Sequence, residues 1–180
     1  MLRSVFQKLV TAIAFTVAAA GQAQAALFTL DNQGSWLDFM VSDGVLTWQD
    51  ASGHPALFQI TSDVPFALRV TDFNFPGDVV SVYANNELLG NTSDVAIDAE
   101  VYADTPADGW ADARWSKGQW LLPAGTYQFT GRPVYLSAGV ASFGISAMAS
   151  VPEPGMLALS GLGLGVIWCT RRQRSALKSV

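Results

Sequence analysis

A chain of 180 residues with a formal charge of −5 and a single cysteine has room for one ordinary domain and its appendages. Between residues 26 and 150, four cations face fourteen carboxylates, a net of −10, and the other six basic residues stand near the two ends. Such acidity excludes nucleic acid and anionic lipid as partners of the middle region, and its lack of cysteine excludes disulfides as its support.

Residues 1–25 read as a secretory signal peptide. Arg3 and Lys8 form a positive start, Leu9 to Ala20 are almost wholly apolar, and Ala23-Gln24-Ala25 supplies the small-residue cleavage pattern. Cutting after Ala25 makes Ala26 the new terminus.

From Ala26 to Ser150 turn signals recur about every ten residues: Asp31-Asn32-Gln33-Gly34, Ser42-Asp43-Gly44, Ala51-Ser52-Gly53, Phe75-Pro76-Gly77-Asp78, Asn85-Asn86 and Pro123-Ala124-Gly125. The runs between them are rich in Val, Phe, Trp, Tyr and Thr. Strands are predicted at 36–41, 45–48, 56–61, 66–71, 79–84, 95–101, 119–122, 126–130, 134–136 and 142–148. Phe66, Leu68 and Val70 alternate with Ala67, Arg69 and Thr71, the period of a half-buried strand, and no long window carries a helical stripe. The pattern predicts an all-β domain over 26–150, an antiparallel β-sandwich or jelly roll.

Within that domain, one stretch gathers Asp94, Asp98, Glu100, Asp104, Asp108 and Asp112. Hard oxygen ligands on a loop are what calcium takes, so Asp104, Asp108 and Asp112 are the candidate ligands and calcium the one candidate cofactor. The competing reading is a solvated acidic loop. Trp110, Trp115 and Trp120 recur at intervals of five beside it. A flat indole near carboxylates can hold a sugar ring, which makes Trp110 and Trp115 a candidate platform; Trp48 and Trp120 are expected in the core. Catalysis finds little support. His54 is the only histidine and stands in a turn, and neither a nucleophile elbow, a His-Glu-x-x-His nor a phosphate loop occurs. A paired-carboxylate glycoside hydrolase is the remaining enzymatic alternative.

The chain closes with Val151-Pro152-Glu153-Pro154, an apolar run from Gly155 to Thr170, and then Arg171, Arg172, Arg174 and Lys178. Sixteen helical residues reach roughly 24 Å, short of a hydrocarbon core of about 30 Å, and snorkelling arginines and local thinning can bridge the gap. The basic cluster stays cytoplasmic as a stop-transfer signal. Gly161 and Gly165 form a GxxxG pair, which suits a close helix contact or simply a tag helix built of small residues. Pro152 and Pro154 hold the preceding segment extended, as a processing enzyme requires.

The ordered triplet of turn, apolar segment and basic cluster resembles the PEP-CTERM sorting tag of Gram-negative bacteria. The resemblance implies cutting near Pro152-Glu153-Pro154 by an exosortase, a membrane-embedded transpeptidase, and makes those three residues a processing signal. Phe66–Phe73, Gly77–Tyr83, Leu88–Gly90 and Leu121–Phe129 likewise resemble segments of the β-sandwich domains that precede this tag.

The expected organisation is a signal peptide at 1–25, an exported domain at 26–150 and a sorting signal at 151–178, with its motif at 151–154, membrane helix at 155–170 and basic end at 171–178. The expected protein is non-enzymatic, anchored as a precursor in the inner membrane, processed, and left at the cell surface or in the extracellular matrix beside exopolysaccharide. A calcium- or carbohydrate-binding module is the alternative.

Overall fold

The structure is a computed structural model that describes residues 25–150. The predicted signal peptide up to Gln24, including Ala23, lies outside them, as do Pro152, Glu153, Pro154, Arg171, Arg172 and Arg174. No helix among the described residues is long and apolar enough to cross a membrane; the span predicted at 155–170 falls beyond them.

Among the described residues nine strands form two sheets: β1 (Ala26–Thr29), β2 (Gln33–Ser42), β3 (Ala56–Ser62), β4 (Phe66–Phe73), β5 (Val79–Ala84), β6 (Glu87–Asn91), β7 (Lys117–Leu122), β8 (Gly125–Tyr135) and β9 (Val140–Ala149). One sheet has the order β1-β3-β8-β5-β6 and the other β2-β9-β4-β7. Every pairing is antiparallel except β1 with β3. The all-β expectation is met. Only the β5–β6 connection keeps the chain in one sheet, so nearly every loop crosses the sandwich.

Period-two alternation builds the core. Phe58, Ile60, Val80, Val82 and Phe129 point inward from the first sheet. Phe39, Val41, Phe66, Leu68, Val70, Phe143 and Ile145 meet them from the second, all nearly without exposure. Removing such side chains from water is the main stabilising term, roughly 1.5–3 kcal/mol for each large one.

Asn85 and Asn86 take φ of 49° and 68°, both left-handed, as a two-residue hairpin of matching twist requires. Pro133 sits inside β8 where the β5–β8 register slips between Val79 and Val80. A residue without an amide hydrogen is tolerated at such a bulge.

Several local expectations are corrected. Val45–Trp48 is not a strand. The loop instead drives Trp48 into the core, where its ring stacks on Phe39 at 4.3 Å. Residues 95–101 are irregular, turned by Asp98 Oδ1 accepting the Glu100 amide. The run at 126–130 and residues 134–135 of the next belong to one strand, β8, which ends at Tyr135. Two short strands, β1 and β6, and a short helix, α1 (Pro106–Ala111), were not anticipated.

Candidate functional site

The acidic, tryptophan-bearing excursion between β6 and β7 leaves one sheet and enters the other, carrying α1 over the outer face of the four-stranded sheet. Sequence dictates the helix start. Thr105 Oγ1 accepts the Asp108 amide at 3.2 Å and donates to Asp108 Oδ2 at 2.7 Å, while Pro106 takes the first helical position. Lys117 Nζ finishes the other end, donating to the Trp110 and Asp112 carbonyls at 2.7 and 2.9 Å. Small residues face the sheet, with Pro106 against Gly144 and Gly109 against the Asp72 carbonyl.

That arrangement answers the calcium expectation. Asp108 is engaged in the helix cap. Asp112 pairs with Arg114 at 2.6 Å, and the guanidinium holds its carboxyl down at about 2. Asp104 stands exposed on its own. Among the described residues no group of three His, Cys, Asp or Glu side chains converges as a metal site. The three predicted ligands are close in sequence but do not converge: Asp108 and Asp112 are engaged locally and Asp104 stands apart.

Trp115 is also corrected. It is 2% exposed, packed with Phe73 and Ala103, and can offer no face to a sugar. Trp48 is core as expected, and Trp120 is partly buried against it. Trp110 is half-buried rather than free-standing. Its ring lies 5.8 Å from Trp36, and the Arg69 guanidinium sits 5.1 Å from the Trp36 ring and 5.5 Å from that of Trp110. Register places Trp36, Ser146 and Arg69 in one row across β2, β9 and β4, and Arg69 Nη2 donates to Ser146 Oγ at 2.8 Å. Lys117 Nζ approaches the Trp110 ring at 5.7 Å.

The cluster is a clamp that fastens α1 to the sheet. Trp110→Ala should therefore cost about 2 kcal/mol, less than a fully buried aromatic but well above a surface change. Urea denaturation reads this directly, and a cost below about 0.5 kcal/mol, typical of surface sites, would return Trp110 to the role of an exposed platform. Period two marked Arg69 as outward-facing; the cross-strand row that gives it two indoles is not visible along the chain.

At one end of the sandwich a carboxylate pair is hidden. Asp72 is fully buried; its Oδ2 accepts the Asp78 amide at 3.2 Å and its Oδ1 has no partner. Burial, and then the charge of Asp78, push its carboxyl up to about 8. Asp78 is raised as well, chiefly by burial, although it accepts the Ser137 amide. Asp78 touches a cavity of about 160 Å³ together with Phe75 and Tyr102. A glycoside hydrolase needs both carboxyls at the sugar, and Asp72 has no contact with solvent. His54 lies in an exposed turn, 3.7 Å from Asp50, whose Oδ1 accepts the Ser52 and His54 amides.

The outer face of the five-stranded sheet is different in chemistry. Gln59, Thr61, Thr126, Gln128, Thr130, Ser81 and Tyr83 alternate outward there, and Thr61 and Thr126 share a hydrogen bond of 3.0 Å across strands. Arg132 is the cation of that face. Glu87, the one carboxylate in these five strands, stands opposite Ala84 and so on the other side from Tyr83.

Residues 150–173 match the family model of the PEP-CTERM protein-sorting motif. No curated protein matches the chain. Among solved structures, the pre-peptidase C-terminal domain of collagenase from Bacillus anthracis is 7% identical, with 69% of this chain and 96% of that chain covered and a TM-score of 0.40. A β-glucosidase from Paenibacillus barengoltzii is 14% identical, with 71% of this chain and 12% of that one covered at a TM-score of 0.31. CorA of Methylomicrobium album BG8, a surface-associated copper-binding protein, is 10% identical over 70% of this chain and 98% of its own, with a TM-score of 0.36.

Proposed function

We propose that this chain is a non-enzymatic β-sandwich displayed at the cell surface or in the extracellular matrix after processing at both ends. The sorting motif at 150–173 carries the reading, because it marks an exported precursor handled by an exosortase-type membrane enzyme. The proposed boundaries are a signal peptide at 1–25, the displayed domain at 26–150, and a tail whose extended Pro152-Glu153-Pro154 is gripped while the segment at 155–170 and Arg171, Arg172 and Arg174 hold the precursor in the inner membrane. Removal of the leader after Ala25 is compatible with the fold. Ala25 is exposed, and the Ala26 nitrogen that begins β1 still donates to the Pro55 carbonyl.

The mature species should start at Ala26 and lack Arg171 to Val180, as mass spectrometry of the surface fraction will read. Glu153→Ala should leave the precursor in the inner membrane. An intact C-terminal peptide on surface-released protein would sink the sorting reading.

Association with extracellular polysaccharide, without turnover, is the finer part of the proposal. The hydroxyl- and amide-rich outer face of the five-stranded sheet supports it, since those groups suit a polyhydroxyl chain. Retention of the protein on the host's own extracellular polysaccharide tests it.

A further inference from the structure

On that outer face a groove of about 280 Å³ runs between the loop after β2 and the β5–β6 hairpin, lined by Leu46, Thr47, Tyr83, Asn86, Thr130 and Arg132 with the backbone of Gly131. We propose that this groove is a subsite for one neutral pyranose ring of a glycan, an inference that rests on the polysaccharide reading above and names its site. Its volume is at the small end of ligand pockets and suits a single sugar ring.

The side chains supply what such a ring needs. Arg132 stands with its guanidinium 5.7 Å from the Tyr83 ring, which holds the fork in place. Among the described residues Arg132 enters no ion pair: the pairs there are Asp50 with His54 and Asp112 with Arg114. A planar fork of donors, left open in this way, can donate to two adjacent hydroxyls of one ring. The Asn86 amide and the Thr47 and Thr130 hydroxyls can donate and accept around the rim. Leu46, 68% exposed at the groove, can cover the ring's C–H face. The hairpin geometry positions Asn86, since its left-handed φ of 68° is fixed by the two-residue turn.

Charge selects between neutral and acidic sugars. The groove holds one cation, but the domain around it carries −10, so a polyanion is repelled before it arrives. A neutral ring meets no such barrier.

The test titrates the full chain, purified in mild detergent, with cellohexaose, maltoheptaose and mannohexaose, and with oligogalacturonate as the charged comparator. Binding of a neutral oligosaccharide is expected, weakened at least tenfold by Arg132→Gln and by Tyr83→Ala, each variant keeping the wild-type melting midpoint. Trp110→Ala, in the helix that covers the opposite sheet, should leave the affinity unchanged. Failure of all three neutral probes to bind, a tighter grip on oligogalacturonate, or indifference to Arg132→Gln in a folded variant overturns the subsite. Retention of wild type and Arg132→Gln alike on the host polysaccharide would remove this site and leave the broader association standing; loss of retention in the wild type removes the association itself.

Discussion

Asp72→Asn should make the sandwich more stable than the wild-type chain at pH 8, and should flatten a stability profile that otherwise declines as the medium turns alkaline. The folded carboxyl titrates near 8, against about 4 in an unfolded chain. Between those values the folded state keeps a proton that the unfolded state has released. Stability from this group is therefore fully present below about pH 4, falls by about 1.4 kcal/mol per pH unit as pH rises, and levels off once pH has passed through 8. From pH 5 to 8 the loss is at most about 4 kcal/mol, large against a typical domain stability of 5–15 kcal/mol.

Asp78 faces Asp72 and repels it, and Asp43 in turn repels Asp78. Asp78, itself raised chiefly by burial, contributes with the same sign. The opposing groups are Asp31, Asp50 and Asp112, whose carboxyls are lowered, so their contributions are lost only in acid below the chosen window. Asparagine keeps the acceptor for the Asp78 amide and removes the buried charge. Urea midpoints at pH 5, 6.5 and 8 decide the matter: parallel profiles for wild type and Asp72→Asn would show that Asp72 is ionised in the fold at no cost.

The strands that carry the core were the legible part of this chain. Phe66, Leu68 and Val70 announced β4 because one face of a strand is buried and the other is not, and Asn85-Asn86 announced its hairpin through the left-handed backbone that few residues accept. The run Val45–Trp48 misled as a strand for a related reason. An apolar run of strand length also serves a loop that plunges into the core, and periodicity cannot separate the two over four residues. The helix α1 had a readable start in Thr105-Pro106-Ala107-Asp108, a cap residue, a first-turn proline and an acid three places on, but six residues are too few to show a stripe. The half-burial of Trp110 and the full burial of Trp115 depended on how α1 and the loop after it pack against the sheet, which the chain alone does not show. The groove residues Tyr83 and Arg132 come together only through the β5–β8 register, which is a property of the sheet and not of either strand alone.

Gly131→Ala, a change of one methyl group, should cost about 3 kcal/mol, at the upper end of overpacking effects. Gly131 is not needed for an unusual backbone angle, and its absent side chain is what matters. A Cβ there would fall within the radii of the Trp48 Nε1 and the Ser81 carbonyl oxygen. The carbonyl belongs to the β5–β8 ladder and cannot retreat without breaking it. Trp48 cannot retreat either, since its ring is held by Phe39 at 4.3 Å and Phe58 at 5.8 Å with no exposure at all. Gly44 is the proper comparison. Its φ of +76° is left-handed, but nothing lies within 4 Å of where a Cβ would stand. Gly44→Ala should then cost only the backbone penalty, about 1 kcal/mol. Chemical denaturation of the two variants separates crowding from backbone strain, and near-ultraviolet circular dichroism should show the Trp48 signal altered in Gly131→Ala alone. Equal costs would mean that Trp48 can find another place in the core, and with it the wall between core and groove would be softer than the close contact of Trp48 with Gly131 implies.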